Sequence, residues 1–111
     1  MGKLAVGTVV LAHFPYSDFQ RYKKRPALII GLAEFGDVIL CQITSSKTAS
    51  HRAIKLVRSG FAEGGLPTTS YVRPDKIFTV DQSIVERRLG RLTDGLREQI
   101  LGQIRQLFTA G

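Results

Sequence analysis

Cysteine occurs once in this chain of 111 residues, at Cys41. That excludes an intramolecular disulfide and a metal site built from thiolates, and it points to a reducing compartment. Histidine occurs twice, as His13 and His51, too few for a histidine-built metal centre and without the spacing of a nucleophilic triad. The carboxylates Asp81, Glu86, Asp94 and Glu98 show no metal-ligand spacing either, so no metal and no cofactor is expected. Apolar runs long enough to span a membrane are missing, and Met1 to Leu11 lacks the basic start and long apolar core of a signal peptide. The reading is a soluble cytoplasmic protein without a membrane partner. Acidic residues are scarce: nine Asp and Glu stand against sixteen Lys and Arg, a formal net charge of +7. That sign and size favour a polyanionic partner, either nucleic acid or an acidic polypeptide, and charge alone does not separate the two. With 43% hydrophobic and 23% charged residues the chain has a globular balance, and its length suits one domain over residues 1–111.

What is there reads as short strands followed by one helix. TVVLAHF, residues 8–14, is β-branched and apolar, and Pro15-Tyr16-Ser17-Asp18 ends it with turn chemistry. A loop is expected to continue to Lys24, with Pro26 opening the strand ALIIG, which is apolar on both faces and therefore central. VILCQI, residues 38–43, makes the return strand of a hairpin. Residues 44–52 read as a polar loop, residues 53–57 as a short strand, and RSGFAEGGLPTT as the most mobile segment, because Gly60, Gly64, Gly65 and Pro67 punctuate it. Two further strands, around Tyr71–Arg73 and Lys76–Val80, are kinked apart by Pro74. Leu96, Ile100, Ile104, Leu107 and Phe108 form one helical stripe, with Thr93 or Asp94 as the cap. Five to seven short strands closed by a C-terminal helix predict a mainly β fold, a small antiparallel barrel or strongly bent sheet.

Several residues can carry chemistry. In Arg73-Pro74-Asp75 an extended backbone puts the guanidinium and the carboxylate on one face, an acid/base candidate or else a plain surface ion pair. Arg25 is anchored by Pro26 to a central strand and can present a rigid fork to phosphate. Arg21, Lys23 and Lys24 flank it and attract phosphate less specifically, while Tyr16, Phe19 and Tyr22 interleave with them as stacking surfaces for single-stranded bases. Phe14 is expected to be core, and Phe19 reads equally as core or as binding surface. Thr44, Ser45 and Ser46 close the third strand with three hydroxyls that either bind phosphate or form a turn. His13 is read as a strand residue with a satisfied ring, His51 as a loop residue within reach of ligand, and Cys41 as core. Arg87, Arg88 and Arg91 read as a solvated basic face before the helix.

GTVVLAHFP, KRPALII, the strand ending in QITSS, SYVRPDKIFTVD and RLGRLTDGLREQI, in this order, resemble the PemK/MazF family of toxin endoribonucleases of type II toxin–antitoxin pairs. The resemblance spans nearly the whole chain. It implies a small SH3-like barrel, a homodimer, and metal-independent cutting of single-stranded RNA at short motifs. It also implies inhibition by an acidic, poorly ordered antitoxin, through which alone DNA would be contacted. The family's arginine before proline falls on Arg25, its hydroxyl at the end of the third strand on Thr44, and its later arginine and acid on Arg73 and Asp75. Many members carry a glycine-flanked Glu-Gln or His-Glu-Gln before the RP arginine; here that region reads SDFQRYKK and keeps only Gln20, so no histidine role carries over. Two other readings compete: a basic module that binds RNA or protein without cutting, and a toxin that poisons a topoisomerase by protein contact.

Overall fold

The computed structural model describes residues 4–15, 22–47 and 51–109. Seven strands run through them: β1 (Thr8–Pro15), β2 (Tyr22–Leu32), β3 (Asp37–Thr44), β4 (Ile54–Leu56), β5 (Phe61–Gly64), β6 (Ser70–Asp81) and β7 (Val85–Leu92). A single helix, α1 (Asp94–Gln106), follows them. All seven join one sheet in the order β4-β6-β3-β2-β1-β7-β5, and every pairing is antiparallel. Laid flat, seven strands would be about 29 Å across, at roughly 4.8 Å per strand spacing. Yet Ile54 and Leu56 of one edge strand and Phe61 of the other pack into the same cluster, together with Val9, Leu28, Val72, Leu92, Ile100 and Ile104. Both edges reach one core only if the sheet is strongly curled, as the sequence predicts.

The central strands are buried on both faces because alternate residues feed two clusters. Leu28 and Cys41 face the helix side, whereas Ala27, Ile29, Leu40, Val10 and Ala12 form the second cluster on the opposite face. Thr93 caps α1, its hydroxyl oxygen accepting from the Leu96 N–H at 3.3 Å, and Ile100 and Ile104 carry the buried stripe. Phe108 lies beyond the helix and is 76% exposed, so the expected stripe ends before it.

Four expectations need correction. β2 begins at Tyr22 rather than Pro26: β1 runs on to Pro15 and supplies each of residues 22–25 with an antiparallel partner, Ala12 lying opposite Arg25. Lys23 and Lys24 therefore sit on a strand arm, not on a free loop. The glycine-rich segment contains β5, paired to β7, and Gly60 and Gly64 serve close approach rather than loop freedom. Gly64 adopts φ +68, and a Cβ there would strike the Leu89 carbonyl; a Cβ on Gly90 would stand 2.5 Å from the Glu63 carbonyl oxygen. VERRLGRL forms β7, so Arg87, Arg88 and Arg91 are on a paired strand. Two register shifts in the β1–β7 ladder break the period of two that would have revealed it. Residues Tyr71–Arg73 and Lys76–Val80, expected as two strands, belong to one strand with an irregularity between them.

Candidate active site

That irregularity builds the site. On β3, Gln42 pairs with Arg73 and the preceding Cys41 with Ile77, so Pro74, Asp75 and Lys76 have no residues of their own opposite them. An insertion of this kind bends the strand and changes which face its later side chains take. Proline suits it, since its missing N–H has no ladder bond to lose. Pro74 is fully buried. Asp75 folds back on Arg73, its carboxylate accepting from Nε at 3.3 Å and from Nη2 at 3.0 Å. The side chains are 22% and 29% exposed, open enough for a ligand and shielded enough for charge to count. Hydrogen bonding from Arg73 is the main cause that holds the Asp75 carboxyl below the usual carboxylate range, and the charges of Arg73 and Arg52 push the same way.

Arg25 stands two strands away on β2, and Arg73 and Asp75 line neither of the two cavities that Arg25 lines. Ala27, two residues along, lies opposite Gln42, which in turn lies opposite Arg73. Arg25 and Gln42 line a cavity of about 530 Å³ with Phe14, Lys76, Ile77 and Phe78. The rings of Phe14 and Phe78 pack 5.3 Å apart, which confirms Phe14 as part of the packed wall. Gln42 Oε1 is buried in this wall with no hydrogen-bond partner among the described residues. A second cavity of about 380 Å³ shares Arg25 and is lined also by Lys24, Thr44, Ser45, Thr68, Ser70 and Arg87. Arg25 is thus shared by a chamber with an aromatic wall and a chamber in which cations and hydroxyls stand among aliphatic side chains such as Leu11, Ile43 and Leu89.

The other candidates divide. Thr44 and Ser45 line the second chamber, and Thr44 Oγ1 also accepts the Ser46 N–H at 3.1 Å, so the turn and a ligand-facing hydroxyl coexist. Ser46 is exposed in that turn, and Lys23 is exposed on β2. Lys24 is committed elsewhere, with Nζ 3.0 Å from Glu86, whose carboxylate also meets His13 Nε2 at 2.7 Å. His13 has the satisfied ring expected of it, and it and Lys24 hold Glu86 below the usual carboxylate range. His51 is exposed in a turn and lines neither chamber. Tyr16, Phe19, Gln20 and Arg21 lie outside the described residues, as does the side chain of Tyr22. Burial, with a smaller push from the Asp75 charge, raises the Cys41 thiol to about 12, so it is core and no nucleophile. Sequence reasoning missed Gln42, Arg52 and Lys76: nothing along the chain says that β6 slips by three residues opposite Gln42.

Fold and site together define a small curled-sheet protein with a cleft in which Arg25 is shared by two chambers. The chain belongs to the family of PemK-like, MazF-like toxins of type II toxin–antitoxin systems, whose sequence profile it matches over residues 5–108. A search of curated proteins gives no significant match. Among solved structures it is similar to an endoribonuclease bound to its cognate antitoxin from a mycobacterial species, with TM-score 0.71, 20% identity, and 96% and 93% of the two chains covered. It is also similar to a MazE–MazF structure from Deinococcus radiodurans, with TM-score 0.72, 20% identity and 92% coverage of each chain. Toxin MazF-mt6 of Mycobacterium tuberculosis gives TM-score 0.65 at 22% identity, covering 87% of this chain and 90% of that one. At these identities the likeness is one of fold.

Proposed function

We propose that this toxin is a metal-independent endoribonuclease that cuts single-stranded RNA, mRNA included, by attack of a ribose 2′-OH on its own phosphate. The observation that carries the reading is the Arg73–Asp75 pair, set by the β6 irregularity opposite Gln42, in whose cavity wall Arg25 stands. The reaction needs an acceptor for the 2′-OH proton and cations for the charge that builds on phosphorus. Asp75 is the acceptor. Arg25 and Arg73 stabilise the phosphorane, and Thr44 with Ser45 orients the phosphate from the second chamber. Lys23, Lys24 and the segment of residues 16–22 gather the flanking RNA. Asp75 already meets a two-pronged guanidinium, an arrangement that suits charge compensation by arginine rather than by a divalent ion. A carboxylate whose pKa is lowered by its arginine partner is a weak base, so rate comes mainly from positioning.

In this reading the chain is one cytoplasmic toxin domain that forms a homodimer and arrests growth by cutting transcripts. No described helix is long and apolar enough to cross a membrane. An acidic antitoxin silences it by competing with RNA at residues 16–25, and DNA is met only through that antitoxin. The test is incubation of the purified protein with mixed-sequence RNA in EDTA, followed by end-mapping of the fragments. Cutting at a recurrent short motif is expected. RNA left intact at high protein concentration rejects the nuclease in favour of a binding-only module.

A further inference from the structure

We propose that Lys76 is the general acid that protonates the leaving 5′-oxygen, an inference that rests on the endoribonuclease reading. The residues considered so far supply a base and two cations but no ready proton donor. Guanidinium groups hold their protons above about pH 12, whereas a lysine ammonium as a class gives one up about two to three pH units lower. An ammonium in the right place is therefore the better acid.

Lys76 has that place because of the slip in β6. In an unbroken strand, residues 73 and 76 would project to opposite faces. Here Arg73 lies opposite Gln42, yet Lys76 lines the cavity that Gln42 and Arg25 also line. After the three unmatched residues, Lys76 and the following residues of β6, Ile77 and Phe78 among them, line the chamber that Arg25 and Gln42 share. Lys76 directly follows Asp75, so base and acid are delivered by consecutive residues of one bend. Two other lysines stand near Arg25 on β2: Lys24 is held by Glu86 at 3.0 Å and Lys23 lines neither chamber, whereas Lys76 lines the chamber and forms no ion pair among the described residues.

The step balances without a cofactor. Asp75 takes the 2′-OH proton as the O2′–P bond forms; the P–O5′ bond breaks, and its electron pair leaves with O5′, which takes a proton from Lys76 Nζ. The products are a 2′,3′-cyclic phosphate and a 5′-hydroxyl. Water then carries a proton from Asp75 back to Lys76.

The test compares native protein, Lys76→Met and Lys76→Arg on two oligonucleotides that carry the mapped cleavage site. One is ordinary RNA and the other has sulfur in place of the bridging 5′-oxygen, so that its leaving thiolate needs no proton. Lys76→Met is expected to cut ordinary RNA about 10²–10⁴-fold more slowly in single turnover and to recover towards the native rate on the sulfur substrate. Lys76→Arg, which keeps the charge but gives up a proton less readily, is expected to fall between. Equal loss on both substrates, or no loss on ordinary RNA, overturns the assignment while leaving the nuclease standing. Failure of the native protein to cut either substrate overturns the nuclease reading and this inference with it.

Discussion

At the residue scale the account turns on how Arg73 treats Asp75. The two-pronged contact at 3.0 and 3.3 Å orients both groups, and it also lowers the basicity of the carboxylate. Replacing Arg73 by Ala is expected to cost about 10²-fold or more in cleavage, the scale of losing one preorganised stabilising group. Stability should fall by only about 0–1 kcal/mol, because the pair is partly exposed and solvent screens it. In the same variant, NMR titration of Asp75 should show its pKa risen towards the ordinary carboxylate value, and an unmoved pKa would contradict the pairing. The sign of the pH dependence follows. Asp75 titrates lower folded than unfolded, so the stability it contributes is complete above the ordinary carboxylate range and is lost as pH falls through its lowered folded value. As the base it stays ionised over the same window, so kcat/KM should show no acid limb between pH 7 and about 4. A limb near about 6.5 would give the base role to a histidine instead.

At the element scale, what could be read from the chain and what could not share one physical cause. Strands with clean alternation or continuous apolarity, β1, β2 and β3, announce themselves, and so does the stripe of α1. β7 is hidden because two register shifts against β1 spoil its period, and β5 because glycine signals a loop as readily as it permits two backbones to approach closely. The site was half legible on the same grounds. Arg25 and the Arg73–Asp75 spacing are local patterns, whereas the chamber with Gln42 and Lys76 depends on a cross-strand slip that leaves no trace along the chain. Close approach can be tested at Gly90. Gly90→Ala must displace the Glu63 carbonyl and the Phe61 ring, which a Cβ would meet at 2.5 and 2.9 Å. It should cost about 1–3 kcal/mol in urea denaturation, the usual scale of overpacking. Unchanged stability would mean that β5 is not held against β7 as described.

At the scale of the whole molecule, a formal charge of +7 on 111 residues is a device for gathering phosphate. Affinity for an uncleavable 2′-deoxy substrate should fall with salt, the logarithmic slope being about −0.7 per phosphate contacted on a single strand. Neutralising Lys23 by Lys23→Gln should flatten that slope without changing the cleavage motif. An affinity indifferent to salt would leave the charge without a role in RNA binding. The curled sheet fixes the guanidinium groups to a wall of packed strands, and in the proposed reading exposed cations collect RNA while anchored ones hold a single phosphate.

The central claim is that Arg25, Arg73 and Asp75 act on one phosphodiester through its own 2′-hydroxyl. Mass spectrometry of RNA fragments made by the native protein in EDTA tests it most directly. The account predicts 3′ ends that carry a 2′,3′-cyclic phosphate and 5′ ends that carry a free hydroxyl. Fragments ending in a plain 3′-hydroxyl would contradict it.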